Sequence, residues 1–163
     1  MNLKHPSTLI ATWFGAGLLP KAPGTWGALA ALPFAVAFKY WSSTEAFIFV
    51  TITVFLIGVW ACEAYIQHLQ QDDPSSAVID EVAAQWMVLW FLPLNLWDYI
   101  LAFLLFRGFD IMKPWPVSWL DRHVKGGFGT MIDDVVAAIY ALLVLIALAF
   151  ALKWMGIDFA IFR

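Results

Sequence analysis

Two acidic pairs, Asp80-Glu81 and Asp133-Asp134, stand at the start of apolar runs in a chain only 13% charged. Paired carboxylates are what hard cations such as Mg²⁺ take, at about 2.0–2.1 Å from each oxygen. One such pair needs no ligand, because the dipole of a helix favours acids in its first turn. Two pairs arriving from separate helices at one depth repel each other unless a cation lies between them, and acids in apolar helices usually face a functional cavity. Asp80, Glu81, Asp133 and Asp134 are therefore candidate metal ligands. A second constellation, Arg107, Asp110 and Lys113, places charges at i, i+3 and i+6. It reads either as an ion-pair ladder on one helix face or as a phosphate site. In the second case Arg107 is a bidentate fork, Lys113 is a point charge, and Asp110 joins the metal.

Two glycine loops, Pro23-Gly24-Thr25-Trp26-Gly27 and Lys125-Gly126-Gly127-Phe128-Gly129-Thr130, each lead towards a helix. Glycine backbone ahead of a helix N-terminus can cradle phosphate, although neither loop matches a Walker A pattern and each also reads as a tight turn. Cys62 lies in an apolar run and His68 in a loop, and neither has a partner in the sequence. His123, between Arg122 and Lys125, reads as a solvated loop histidine rather than a proton donor. The chain lacks a GxSxG elbow, a reactive-cysteine loop and an Asp-x-Asp nucleophile. Acids, basic groups and glycine loops remain, a set suited to metal-assisted hydrolysis of a phosphate ester.

These residues sit in an apolar scaffold. The chain has 163 residues, 63% of them hydrophobic, with 10 Trp and 14 Phe, and its mean hydropathy is +0.79. Soluble domains carry about 45–50% apolar and about 25% charged residues, so the composition predicts one small membrane-embedded domain. It excludes disorder and nucleic-acid binding through a basic surface. One cysteine excludes an internal disulfide framework. Gly15, Gly17, Pro20 and Pro23 interrupt the first apolar stretch, so no cleavable signal peptide is expected.

The expected fold is an all-α membrane bundle of about four to five helices, two of them short. Residues 9–27 read as a structured loop. Helices are expected over Ala28–Trp41, Ala46–Ile66, Ala77–Phe91 (capped by Ser75 or Ser76), Leu96–Asp110 and Met131–Trp154. The second is long enough to span a core of about 30 Å. With a cytoplasmic N-terminus, the start, the 67–80 loop and the 107–130 loop share one face. That face holds Lys4, Lys21, Arg107, Lys113, Arg122 and Lys125, six of nine basic residues, and nine of the twelve acidic ones. The positive-inside rule puts it in the cytoplasm.

The segments FGAGLLPKAPGTWGALAALPF (14–34), IDEVAAQW (79–86) and FRGFDIMKPWPVSWLDRHVKGGFGTMIDDVVAA (106–138) resemble the bacterial phosphatidylglycerophosphatase A family over nearly the whole chain. The last block is the most specific, with KPWP, a GG loop and MIDD in order. The resemblance implies an inner-membrane enzyme that uses Mg²⁺ to convert phosphatidylglycerophosphate to phosphatidylglycerol. It further implies Asp80, Glu81, Asp133 and Asp134 as metal ligands, with Asp80, Asp110, Asp133 and Asp134 catalytic. Arg107, Lys113, Lys125 and Thr25 then bind phosphate. Attack by water and an aspartyl-phosphate on Asp110 or Asp133 both remain open. Ala84 and Ala138 stand where glycine is expected, and His123 where Asn is frequent. Two rivals are a small cation transporter or channel subunit, which predicts acids at mid-membrane, and a lipid phosphotransferase with an alcohol acceptor.

Overall fold

The computed structural model describes residues 5–156. Lys4 and Arg163, two of the basic residues that bear on orientation, lie outside them. Among the described residues the chain is all helical: α1 (Pro6–Ala11), a 3-10 turn (Ala16–Leu18), α2 (Pro23–Trp41), α3 (Thr44–Leu69), α4 (Ile79–Leu89), α5 (Leu96–Met112), α6 (Val117–His123) and α7 (Gly126–Trp154). The class is as expected, with more helices.

The extra elements come from the glycine- and proline-rich stretches. Pro6 and Pro23 occupy first-turn positions, where a missing N–H costs nothing; Pro6 opens α1 just ahead of the segment expected to be a loop, into which that helix runs, and Pro23 opens α2 inside it. The segment after α5 likewise hides α6, which follows a cis Trp115–Pro116 bond. The helix expected from Ala28 starts at Pro23, and the one expected from Met131 starts at Gly126. Ser75 and Ser76 do not cap α4. Its N-cap is Val78, and Ser76 shares a 2.8 Å hydrogen bond with the Tyr65 hydroxyl.

α4 is the hub, with α2, α3, α5 and α7 all packed on it. Nine of its eleven residues are buried, as expected of a helix surrounded by others. Side chains tie it in place: Trp86 Nε1 donates to the Ala31 carbonyl at 2.9 Å and Trp90 Nε1 to Thr51 Oγ1 at 3.1 Å. At its C-terminus the Lys39 ammonium donates to the carbonyls of Leu89 (2.8 Å), Trp90 (3.2 Å) and Leu92. Last-turn carbonyls have no intrahelical partner, so this lysine closes the end of the hub helix.

Two helices, α3 and α7, are long and apolar enough to cross a membrane. They run antiparallel: Glu63 lies against Gly127, and Gly58 against Met131. The exterior is apolar, with Phe49, Leu56, Trp60 and Phe150 exposed. Exposed Trp41, Trp97 and Trp154 lie at one end and Trp26, Trp115 and Trp119 at the other, the distribution of an interfacial aromatic belt. The starts of α2, α4 and α7 and the end of α5 meet at the second end. Among the described acidic residues, only Glu45 and Asp98 lie at the first.

Candidate active site

At that second end the chain encloses an open cavity of about 360 Å³. Its wall comes from four places. The start of α2 gives Gly24 and Thr25, and α4 gives Asp80 and Glu81. The end of α5 gives Arg107, Asp110 and Lys113. The α6–α7 segment gives Asp121, Lys125, Asp133 and Asp134. Every residue named from the sequence as metal-binding, catalytic or phosphate-binding lines it. His68 and His123 do not; His123 stacks on Trp119 and hydrogen-bonds the Trp119 carbonyl at 2.8 Å.

Carboxyl oxygens of Asp80, Glu81 and Asp134 lie within 4.8 Å of one another. Asp80 and Glu81 occupy the first turn of α4, but Asp134 lies two turns inside α7, so no helix terminus accounts for it. Asp80 and Asp134 are buried. Glu81 Oε2, Asp133 Oδ1 and Asp134 Oδ2 are buried without a hydrogen-bond partner. Buried polar groups are normally satisfied. Two of these orphaned hard-oxygen donors, on Glu81 and Asp134, belong to the group of three, and such a group fits a divalent cation.

Charge balance supports the same conclusion. Five carboxyl groups (Asp80, Glu81, Asp110, Asp133 and Asp134) face two partly buried basic groups, Arg107 and Lys113. Arg107 pairs with Asp110 and lies 3.6 Å from Glu81. The i, i+3 half of the expected ladder is therefore real. Its other half is not, since Lys113 turns away from Asp110 to pair with Asp121 and, at 3.2 Å, with Asp133. Lys113 ends α5 in the left-handed region (φ 43°), which reverses the chain towards α6. Burial works against its charge, but the hydrogen bond to Asp121 and the charge of Asp133 outweigh it and hold the ammonium above its ordinary pKa. Asp133 thus stands beside Lys113, outside the group of three.

Gly24 explains why α2 can approach this closely. A Cβ there would fall on Glu81 Oε1 and 3.1 Å from Arg107 Nη2. The second glycine loop does something the sequence did not suggest. Glu63 Oε2 accepts the Gly127 N–H at 2.8 Å, so a side chain of α3 already caps the start of α7. A helix opening on Lys-Gly-Gly, with no Ser, Thr, Asp or Asn at its cap, is one that must borrow a cap; that was the available signal. Lys125 stays exposed, its ammonium donating to the Asp121 carbonyl at 3.1 Å. Asp121 had no distinguishing pattern.

The family model described as "PgpA: Phosphatidylglycerophosphatase A" matches residues 9–149. The chain is 40% identical to phosphatidylglycerophosphatase A of Haemophilus influenzae over 156 residues, 95% of this chain and 94% of that one. It is 40% identical to phosphatidylglycerophosphatase A of Escherichia coli over 142 residues, 85% of this chain and 81% of that one. A Bacteroides thetaiotaomicron protein named "Putative phosphatidylinositol-3-phosphatase" is 39% identical over 90% of this chain and 97% of its own. No solved structure matches the chain. With a matching family model over most of its length and two relatives 40% identical over more than four fifths of each chain, the chain belongs to the phosphatidylglycerophosphatase A family.

Proposed function

We propose that this enzyme is a Mg²⁺-dependent phosphatase that hydrolyses phosphatidylglycerophosphate to phosphatidylglycerol and inorganic phosphate. It acts from the cytoplasmic face of a bacterial inner membrane, where the lipid's acyl chains remain in the bilayer and its headgroup enters the cavity. The observation that carries this reading is the convergence of three carboxylates with the Arg107 guanidinium in one open cavity at the end of an apolar bundle. An acid-lined cavity repels a phosphate monoester unless cations outweigh the acids. The cytoplasmic placement is supported by the basic residues gathered at that end.

Asp80, Glu81 and Asp134 would hold the cation, and the chemistry supplied there would be Lewis-acid polarisation of a phosphoryl oxygen and easier ionisation of an adjacent water. Arg107 sets its planar fork on two phosphoryl oxygens. Lys113, Lys125 and the Thr25 hydroxyl take the others and neutralise charge as it develops. Asp133 keeps Lys113 in place. Asp110, fixed by its pair with Arg107, takes the proton from the attacking water. The new bond joins water oxygen to phosphorus, the bond to the glycerol oxygen breaks, and the proton passes to that departing oxygen.

The test is phosphate release by purified protein in detergent from phosphatidylglycerophosphate, phosphatidylinositol 3-phosphate and phosphatidic acid. Each is assayed with Mg²⁺, and with EDTA, in ¹⁸O-labelled water. The reading predicts fastest release from the first, loss with EDTA, and one labelled oxygen per released phosphate. Preference for the inositol lipid would reassign the substrate. Unlabelled phosphate would contradict addition of water at phosphorus, and transfer to an added alcohol without phosphate release would replace hydrolysis by phosphotransfer.

A further inference from the structure

The seven-residue helix α6 has no part in the reaction as described, yet it sends one side chain to the cavity: of its residues only Asp121 lines the wall. Asp121 is joined to both cavity lysines, through different atoms. Its carboxylate accepts from the Lys113 ammonium, and its main-chain carbonyl accepts from the Lys125 ammonium at 3.1 Å. The carbonyl is available because Asp121 lies in the last turn of α6, where carbonyls have no intrahelical partner. The carboxylate had no such need of a protein partner, since 32% of the side chain is open to solvent.

Lys113 shows what that carboxylate does. Its ammonium lies between Asp121 of α6 and Asp133 of α7, 3.2 Å from the latter. An ammonium has three N–H donors. Two are taken, and among the described residues the third has no protein acceptor. The side chain that carries it lines the cavity. Asp133 by itself would not leave that donor free. Asp133 is buried, and its Oδ1 has no hydrogen-bond partner. An ammonium on a flexible four-carbon stem, held by Asp133 alone, is drawn to both oxygens of that buried carboxylate. The Asp121 carboxylate, on the more exposed side, opposes the pull.

We propose that Asp121 is a positioning residue that holds the Lys113 ammonium forward from Asp133, with one N–H left for a phosphoryl oxygen. Asp121 touches no phosphate itself. With the lysine set in place beforehand, little side-chain freedom is lost when phosphate binds. The inference rests on Lys113 binding phosphate, as in the proposed function. It carries an electrostatic signature. Taking an acid out of an anion site should, by charge alone, tighten anion binding. Where the acid positions the cationic group, taking it out loosens binding instead.

The experiment measures binding of inorganic phosphate to full-length protein in detergent, with Mg²⁺ present and no lipid, alongside thermal melting. The variants are Asp121→Ala, Asp121→Asn, Lys113→Met, and Lys113→Met combined with Asp121→Ala. A hydrogen bond to a charged group is worth about a factor of ten, so the Kd for phosphate should rise about tenfold in Asp121→Ala and in Lys113→Met. It should be no higher in the double variant than in Lys113→Met, because the two residues act as one unit. Asp121→Asn keeps an acceptor without the charge and should fall between wild type and Asp121→Ala. Melting temperatures should barely change, since an ion pair this exposed adds little to stability. Unchanged or tighter phosphate binding in both Asp121 variants would overturn the proposal. A double variant clearly weaker than Lys113→Met would overturn it as well, by giving Asp121 an effect of its own. Unfolding of both Asp121 variants would assign the residue to the fold and overturn it too. Wild-type protein that binds phosphate but releases none from phosphatidylglycerophosphate would refute the proposed activity and leave the role of Asp121 standing. Wild-type protein that releases phosphate from the lipid but binds none at millimolar concentration would overturn the proposal alone.

Discussion

Arg107 is where residue chemistry can be separated from simple charge. It pairs with Asp110 at i, i+3 and stands 3.6 Å from Glu81, so a ladder role and a phosphate role make different demands on it. Arg107→Lys keeps the charge and loses the planar fork. If the fork holds two phosphoryl oxygens, kcat/KM falls by one to three powers of ten, each about 1.4 kcal/mol. If the pair with Asp110 is all that matters, lysine at the same spacing supports activity within about twofold of wild type. Asp134 allows no such substitution. Asp134→Asn keeps the size and removes the charge from a buried ligand, and steady-state assays at saturating Mg²⁺ should show activity reduced at least about a thousandfold, with the protein still folded in the membrane. Turnover near wild type at equal protein amount would take Asp134 out of the site. Gly24→Ala should act through the same carboxylate. The added methyl falls on Glu81 Oε1 and should raise the Mg²⁺ concentration for half-maximal rate while leaving α2 helical, because alanine is the better helix former; an unchanged requirement would show that Glu81 can move aside.

The elements carry these residues to one place, and their legibility in the sequence was uneven for physical reasons. Long apolar runs announced α3 and α7, because spanning length needs only hydropathy. The short helices α1 and α6 were hidden in proline- and glycine-rich stretches that read as loops, since a proline at a first helical turn starts a helix as readily as it ends one. Carboxylate pairs and the Arg107-Asp110 spacing were readable from local pattern. The division of labour within Asp133-Asp134 was not, because it depends on where Lys113 points, and Lys113 points at Asp121 and Asp133 only after the left-handed turn ending α5. Glu63 was equally hidden, as a cap supplied from 64 residues away. Its removal is an element-scale prediction. Glu63→Ala should cost about 0.5–2 kcal/mol of stability, the usual range for a lost cap, and should loosen the start of α7, whereas Glu63→Gln keeps an acceptor and should cost less. Equal melting temperatures for the two variants would show that the Gly127 N–H finds water instead.

The whole molecule is a bundle whose cavity-lining acidic and basic side chains gather at one end. The start of α2, the loop before α4, the end of α5 and the start of α7 all reach that end, and Lys39 closes α4 at the opposite one. Single cysteines at Ser75 and Arg122, in a Cys62→Ala background, should therefore be labelled from the same side of the membrane, and one at Trp41 from the other. Labelling of Ser75→Cys and Arg122→Cys from opposite sides would break the shared cavity. The cation site proposed above consists of Asp80, Glu81 and Asp134, with Asp133 serving Lys113 instead. A Mn²⁺ titration followed by electron paramagnetic resonance, on purified wild type and on Asp80→Asn, Asp133→Asn and Asp134→Asn, tests it without any substrate. One bound Mn²⁺ per chain is expected in wild type, lost in Asp80→Asn and Asp134→Asn and retained in Asp133→Asn, if these residues form that site. Full binding in Asp134→Asn, or loss in Asp133→Asn equal to that in Asp80→Asn, would contradict it.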